Sequence, residues 1–285
     1  MREDRLQVLE TQLKRQSPAE ESLPLMRSQL SKGLVLLSHK ELDKMRRVGC
    51  LAAELLNHLE PMVQPGISTQ DLNDEAERWT QVHGATSAQL GYTPPGHPPF
   101  PGSICTSVNE VICHGIPSRQ QILKAGDIIN IDVTPLLDGY HGDTSKTFFV
   151  GNPSPSAQTL VQVTHECMLR GIAEIKPGAR IGDIGAAIQA HAEANGFSVV
   201  RDFVGHGVGR QFHTEPSVPH FGQRGRGLRL RPGMVFTVEP MLNEGTYDFR
   251  ILGDRWTVVT KDGKLSAQFE HTVAVTPDGV EILTL

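Results

Sequence analysis

Asp132 and Asp143 lie eleven residues apart on either side of an Asp138-Gly139 pair, a dipeptide that favours a two-residue hairpin loop because both positions accept a positive φ. Just upstream, Ile129, Ile131 and Val133 alternate with Asn130, Asp132 and Thr134. That is the period of a half-buried strand carrying Asp132 on its polar face. With Asp138 and Gly139 as the loop, Asp132 stands opposite Ser145 and Thr134 opposite Asp143, which makes the two carboxylates diagonal neighbours on one face. Carboxylates that close repel. Either one keeps a proton, as in an aspartic dyad, or a metal ion compensates both.

The C-terminal part of the chain adds donors of the same kind. Glu239 ends a second β-branched run, Gln268, Glu270 and Thr272 alternate on the polar face of a third, and His206 stands between two glycines that admit a close neighbour. Two Asp, two Glu and one His give oxygen-rich ligation with a single imidazole, which suits Mn, Fe, Co or Zn better than a thiolate zinc or an all-oxygen calcium site. The four carboxylates balance two dications, and a pair held about 3.5–4 Å apart would bridge one hydroxide and keep a nucleophile available at neutral pH.

The elements that must bring these residues together show an internal repeat. Val63-Gln-Pro65-Gly66, then Asp71, then Gly84 matches Ile175-Lys-Pro177-Gly178, then Asp183, then Gly196, with the same spacing in both copies. Each copy is a loop, an Asp-bearing helix and a terminating Gly. Leu123-Lys-Ala-Gly126 leading to Asp132 matches Leu230-Arg-Pro-Gly233 leading to Glu239, and Cys113-His114-Gly115-Ile116 echoes Gly205-His206-Gly207-Val208. The chain therefore reads as two related α/β halves, about 40–150 and 151–285, with helices outside a shared sheet. Ser38 with Glu41 forms a capping box ahead of an amphipathic helix through Leu42, Met45, Val48, Leu51 and Leu55. Residues 1–38 form an extension: a short helix on Leu6, Leu9 and Leu13, then a Ser/Pro-rich linker.

Composition narrows the partners. The 285 residues carry a formal net charge of −5, a poor surface for DNA or other sequence-independent nucleic-acid binding. No apolar run reaches the roughly 18 residues of a membrane span, and the charged N-terminus lacks a signal-peptide core. The expected compartment is the cytoplasm and the expected state a monomer. Cys50, Cys105, Cys113 and Cys167 form no CxxC pair, so they read as reduced thiols.

The strings Asn130-Ile-Asp132-Val-Thr, His141-Gly-Asp143-Thr, Gly205-His206-Gly207-Val-Gly209 with His213, Thr237-Val-Glu239-Pro-Met241 and Gln268-Phe-Glu270-His resemble those of the type I methionine aminopeptidases. The resemblance covers about residues 40–285. The long insertion of type II enzymes is absent between His206 and Glu239. The resemblance implies the pita-bread fold, an α/β (α+β) architecture of two pseudo-twofold halves with a central antiparallel sheet and outer helices over 39–285. It implies removal of the initiator Met from nascent polypeptides when the second residue is small. Two divalent metals would be held by Asp132, Asp143, His206, Glu239 and Glu270. In the same terms Glu239 passes the water proton to the leaving amine, and His114 and His213 contact the substrate. Cys105, Phe212, Met241, Trp256 and Gln268 line the Met pocket. The carbonyls of Asn109, Val111 and Ser266 match a monovalent-cation site. One departure from the family spacing is the Pro-rich loop 93–101, which separates Tyr92 from Cys105.

The remaining histidines, His83, His97, His165, His191, His220 and His271, show no partner pattern and read as structural. Arg224, Arg226, Arg229 and Arg231 read as a solvated loop, with an rRNA contact near the ribosomal exit as the functional alternative. Three rivals share parts of the pattern. The prolidase and aminopeptidase P group has the five ligands, a non-enzymatic pita-bread protein would have lost some of them, and a nucleic-acid module rests on the arginines alone.

Overall fold

The structure is a computed structural model that describes residues 34–285. The helix expected around Leu6, Leu9 and Leu13, and most of the N-terminal extension, lie outside the described residues.

Helix α1 (His39–Leu59) begins where Glu41 accepts the Ser38 backbone N–H at 3.0 Å, and it buries the apolar stripe read from the sequence. Helix α2 (Thr69–Val82) and helix α4 (Ile181–Ala194) are the two repeated Asp-bearing helices, and α3 (Pro155–Ala173) precedes α4. The repeated aspartates have a local structural cause. Asp71 accepts the Ser68 N–H at 3.1 Å and Asp183 accepts the Arg180 N–H at 2.7 Å, so each satisfies an orphan donor at its own helix start. Gly84 and Gly196 close these helices with φ of 73° and 81°, a region open to glycine without steric cost.

Eight strands form the central antiparallel sheet: β1 (Cys105–Val108), β2 (Ile128–Val133), β3 (Thr144–Phe149), β4 (Gly205–Gly207), β5 (Thr214–Val218), β6 (Val235–Val238), β7 (Glu270–Val275) and β8 (Val280–Ile282). Their order is β5-β4-β6-β7-β3-β2-β1, with β8 also paired to β7. The first half contributes β1, β2 and β3, and the second answers with β4, β6 and β7 about an axis between β3 and β7. The Asp138-Gly139 turn has φ of 51° and 78°, and the hairpin it closes pairs Asp132 with Ser145 as the sequence predicts.

One expected equivalence does not hold. The sheet counterpart of β4, which carries His206, is β1, whereas His114 lies in the loop after Val111–Cys113 with a φ of 56°. A four-residue match rich in glycine lacks the strand periodicity that fixes register, so this third echo is not a structural repeat.

Strand alternation separates core from site. Ile129, Ile131 and Val133 pack with Leu55 and Leu59 of α1 and Leu72 of α2. Phe236, Val238, Val273 and Val275 pack with Leu160 and Ile172 of α3 and Ile184 of α4. The helices therefore pack mainly on one face of the sheet, although Leu42, Met45 and Val48 of α1 also cluster with Val235 and Ala274, and Asp132, Glu239 and Glu270 occupy the alternate strand positions. A small sheet of Ser198–Val199, Met241–Asn243 and Ser266–Gln268 adjoins the site on that side.

Candidate active site

On the face of the sheet away from the helices lies a cavity of about 440 Å3 lined by Asp132, Asp143, His206, Glu239 and Glu270, together with His114, Cys105, Phe212, His213, Met241, Trp256 and Gln268. These are the sequence-predicted ligand and pocket residues, gathered from both halves. Donor atoms of Asp143, His206 and Glu270 all lie within 4.8 Å of one another. Asp132 stands beside that group, where its Oδ1 accepts from Gln89 Nε2 at 3.2 Å.

Each side chain is held by its neighbours. Asp143 Oδ1 accepts from the Thr134 hydroxyl at 2.8 Å, a direct consequence of the hairpin register. The Thr237 hydroxyl accepts the His206 backbone N–H at 2.9 Å and donates to Glu239 Oε1 at 2.6 Å, tying β4 to β6 at the site. The Glu239 backbone N–H donates to His220 Nε2 at 3.0 Å. Gly205 and Gly207 let β4 lie close: a Cβ on the first would run into the Thr237 carbonyl and on the second into the Glu215 carbonyl.

The electrostatics call for a cation. Burial raises the Asp132 carboxyl to about 7 against the opposing Gln89 hydrogen bond, and raises Glu239 to about 8 with help from the charge of Asp132. Asp143 and Glu270 are pushed well above the carboxylate range, by burial first and by their acidic neighbours second. Among the described residues no Lys or Arg lines the cavity to offset them. His206 completes the argument. Its Nδ1 faces the Gly207 carbonyl at 3.1 Å, which places the ring proton there. Burial lowers the imidazole to about 4, so it is neutral at pH 7 and its Nε2 lone pair points at Asp143 Oδ2 (3.5 Å) and Glu239 Oε1 (3.7 Å). With the carboxyls ionised, three electron-rich atoms face one another and fit a divalent metal ion between them, and this donor set is of the borderline-to-hard type.

The apolar wall opposite is built around Trp256. Phe100 meets its ring edge-on at 5.2 Å, and Trp256 Nε1 donates to the Pro98 carbonyl at 3.0 Å. His97 Nδ1 faces the Arg255 carbonyl at 2.8 Å. The Pro-rich loop is thus clamped onto the 251–256 segment and closes one side of the cavity. Tyr92 still reaches the site across the altered spacing, with its ring 5.0 Å from Phe212 and 5.2 Å from His213. His213 is exposed at the rim, 4.2 Å from the His206 ring. His114 is pushed down to about 4 by burial and packs edge-on against Phe203 and Trp256.

A sequence profile of metallopeptidase family M24 matches residues 43–277. The chain belongs to that family. Its M24 sequence is 74% identical over 261 residues to methionine aminopeptidase B of Synechocystis sp., covering 92% of this chain and 95% of that one. In structure it is similar to a methionine aminopeptidase from Rickettsia prowazekii, with a TM-score of 0.85, 50% identity, and coverage of 88% of this chain and all of the other. An Xaa-Pro dipeptidase from Bacillus anthracis shares the fold at 23% identity and a TM-score of 0.70, over 87% of this chain and 61% of its own length. The M24 architecture is the pita-bread fold, and divalent metal use is part of this family's chemistry.

Sequence reasoning missed Gln89, Phe100 and Thr237 as a linking hydroxyl, while His220, read as structural, is a buried histidine that accepts the Glu239 backbone N–H. The Pro-rich segment was the signal for Phe100. Nothing local marked Gln89, which meets Asp132 only in the folded chain. Among the other expectations, Asn109 and Ser266 do meet: the Asn109 carbonyl accepts the Ser266 N–H at 2.9 Å, and Val111 pairs with Val259. Arg224 is paired with Glu174 through two bonds of 2.8 and 2.9 Å, and Arg229 donates to the Gly178 carbonyl at 3.1 Å.

Proposed function

We propose that this protein is a metal-dependent aminopeptidase that removes the N-terminal Met of nascent polypeptides when the second residue is small. The observation that carries the reading is the His206 lone pair turned toward the carboxylates of Asp143 and Glu239 at the floor of a largely apolar cavity. The relatives named methionine aminopeptidases support the choice of Met. So does the wall of Cys105, Met241, Phe100 and Trp256, whose sulfur and aromatic surfaces suit a thioether.

Asp132, Asp143, His206, Glu239 and Glu270 would hold the divalent ions, two of them by charge balance. When bound, those ions supply Lewis-acid polarisation of the scissile carbonyl and a water nucleophilic at neutral pH. The chain supplies the rest. Glu239 takes the proton of the attacking water and delivers it to the departing nitrogen, so that one C–O bond forms as the C–N bond breaks. The Thr237 hydroxyl orients its carboxylate, and the His220 imidazole holds its backbone N–H. His114 and His213 offer hydrogen bonds to the peptide backbone from the two sides of the cavity. The apolar and sulfur-bearing walls favour an apolar side chain such as that of Met. The carbonyls of Asn109, Val111 and Ser266 would take a monovalent cation. The proposed place of action is the cytoplasm and the proposed state a monomer, with a ribosome contact through the arginine stretch as the alternative to a solvated loop. Among the described residues no helix is long and apolar enough to cross a membrane.

The test is Met release from Met-Ala-Ser by metal-stripped protein reconstituted metal by metal. Activity should return with at least one of Mn, Fe, Co or Zn, with no cleavage of Xaa-Pro peptides. Failure of every metal, or preferential Xaa-Pro cleavage, would overturn the assignment. Glu239→Gln should lower kcat by roughly 100-fold or more.

A further inference from the structure

Gln89 lies in the turn after Thr86–Ser87, and no motif in the sequence claims it. The fold buries it to 5% exposure in the cavity wall. Its Nε2 donates to the Asp132 carbonyl at 3.1 Å and to Asp132 Oδ1 at 3.2 Å, and lies 3.6 Å from Cys105 Sγ. Both Asp132 atoms only accept once the carboxyl is ionised, so the group facing them is the NH2 and the orientation of the amide is fixed. That leaves Gln89 Oε1 buried with no hydrogen-bond donor among the described residues.

The other half repeats the arrangement. Gln268 Nε2 faces Glu239 Oε2 at 3.4 Å, and Gln268 Oε1 is likewise buried without a donor. Asp132 and Glu239 are counterparts in the sheet, so a carboxamide backs each of them, and each carboxamide, on a residue that lines the cavity, keeps a buried spare acceptor. A buried acceptor without a partner is costly, and a ligand that brings an N–H removes the cost.

A peptide brings few such groups. The Met side chain has no donor, and the scissile carbonyl accepts. Only the α-amine and the second residue's N–H can bond to a carboxamide oxygen. Gln89 touches Cys105 on one side and Asp132 on the other, which places it between the apolar wall for the first side chain and the carboxylate cluster. The α-amine joins those two parts of the substrate. We propose that Gln89 Oε1 accepts a hydrogen bond from the α-amine of the peptide's first residue and so helps the site read a free N-terminus. The oxygen can accept from the amine whether it is protonated or neutral. This inference rests on the aminopeptidase reading above.

Calorimetry on the Mn-loaded protein tests it with two probes, L-methionine and 4-(methylsulfanyl)butanoic acid, the same molecule without its amine. The wild type should prefer methionine, and Gln89→Met should narrow that preference about tenfold, the worth of one hydrogen bond to an amine, while binding of the des-amino acid changes little. Gln89→Asn, which withdraws the oxygen by one methylene, should narrow it as well and serves if Gln89→Met does not fold. Metal affinity is measured in parallel. An unchanged preference, with both probes weakened alike or only the metal affinity lowered, would make Gln89 a support for Asp132 and overturn the proposal. That result with intact Met release from Met-Ala-Ser overturns the inference alone. Wild-type protein that neither binds methionine nor releases it removes the aminopeptidase reading beneath it.

Discussion

At the scale of single residues, the site depends on hydroxyls and imidazoles that orient the acidic groups. Thr237 is the clearest case, because one hydroxyl both receives the His206 backbone and donates to Glu239. Thr237→Val keeps the shape and removes both bonds. It should weaken metal affinity and kcat by about 10–100-fold, the usual effect of losing a group that orients a ligand. Metal titration alongside turnover on Met-Ala-Ser checks this, and wild-type values for both would contradict it. The carboxylates were legible in the sequence because their spacing follows strand period, and His206 because of its flanking glycines, whereas His114 and His213 were legible only through the family resemblance. Gln89 and His220 were not legible, since their roles come from contacts with Asp132, 43 residues away, and Glu239, 19 residues away. No pattern of local period encodes such meetings.

At the scale of elements, the repeat predicted two helices and two strand systems, and the structure gives each repeated residue a cause. Asp71 and Asp183 begin their helices; Asp71 also accepts the local Ser68 hydroxyl at 2.6 Å, whereas Asp183 ties in a separate loop by accepting the Gly225 N–H at 2.7 Å. Asp183→Ala should therefore destabilise the fold by about 1–2 kcal/mol, and Asp71→Ala by less. Urea unfolding of both variants tests the ranking, and equal midpoints would contradict it. The hairpin around Asp138-Gly139 was readable to the residue because turn type and alternation agree. The His114 echo misled because glycine-flanked histidines carry no register. The clamped loop at 93–101 could be seen as an anomaly, but its anchoring on Arg255 and Trp256 required the fold.

At the scale of the whole molecule, two halves meet so that each brings carboxylates the other cannot neutralise. The metal-free fold should then depend on pH in an unusual direction. Asp132 and Glu239 are raised to about 7 and about 8 by burial, whereas in the unfolded chain they titrate near the ordinary carboxylate values of about 4. Between those limits the folded state binds more protons than the unfolded state, so stability falls as pH rises from about 4 to about 8. Divalent ions bind the deprotonated site and oppose that loss. The rise in Tm on adding Mn should be larger at pH 8 than at pH 5, and thermal melts showing an equal or reversed effect would contradict the placement of the charges. The repeat made two related halves around a shared sheet legible, but not the order of the strands. The division of labour between faces was legible only in part, because alternation shows that a face is polar without showing what lies across from it.

The central claim is that the carboxylates and His206 form one divalent-metal centre, and calorimetric titration of metal-stripped protein with Mn tests it most directly. Wild-type protein should bind the ion, and His206→Ala should bind it at least tenfold more weakly while keeping a folded Tm. Equal binding by both proteins, or none by the wild type, would contradict it.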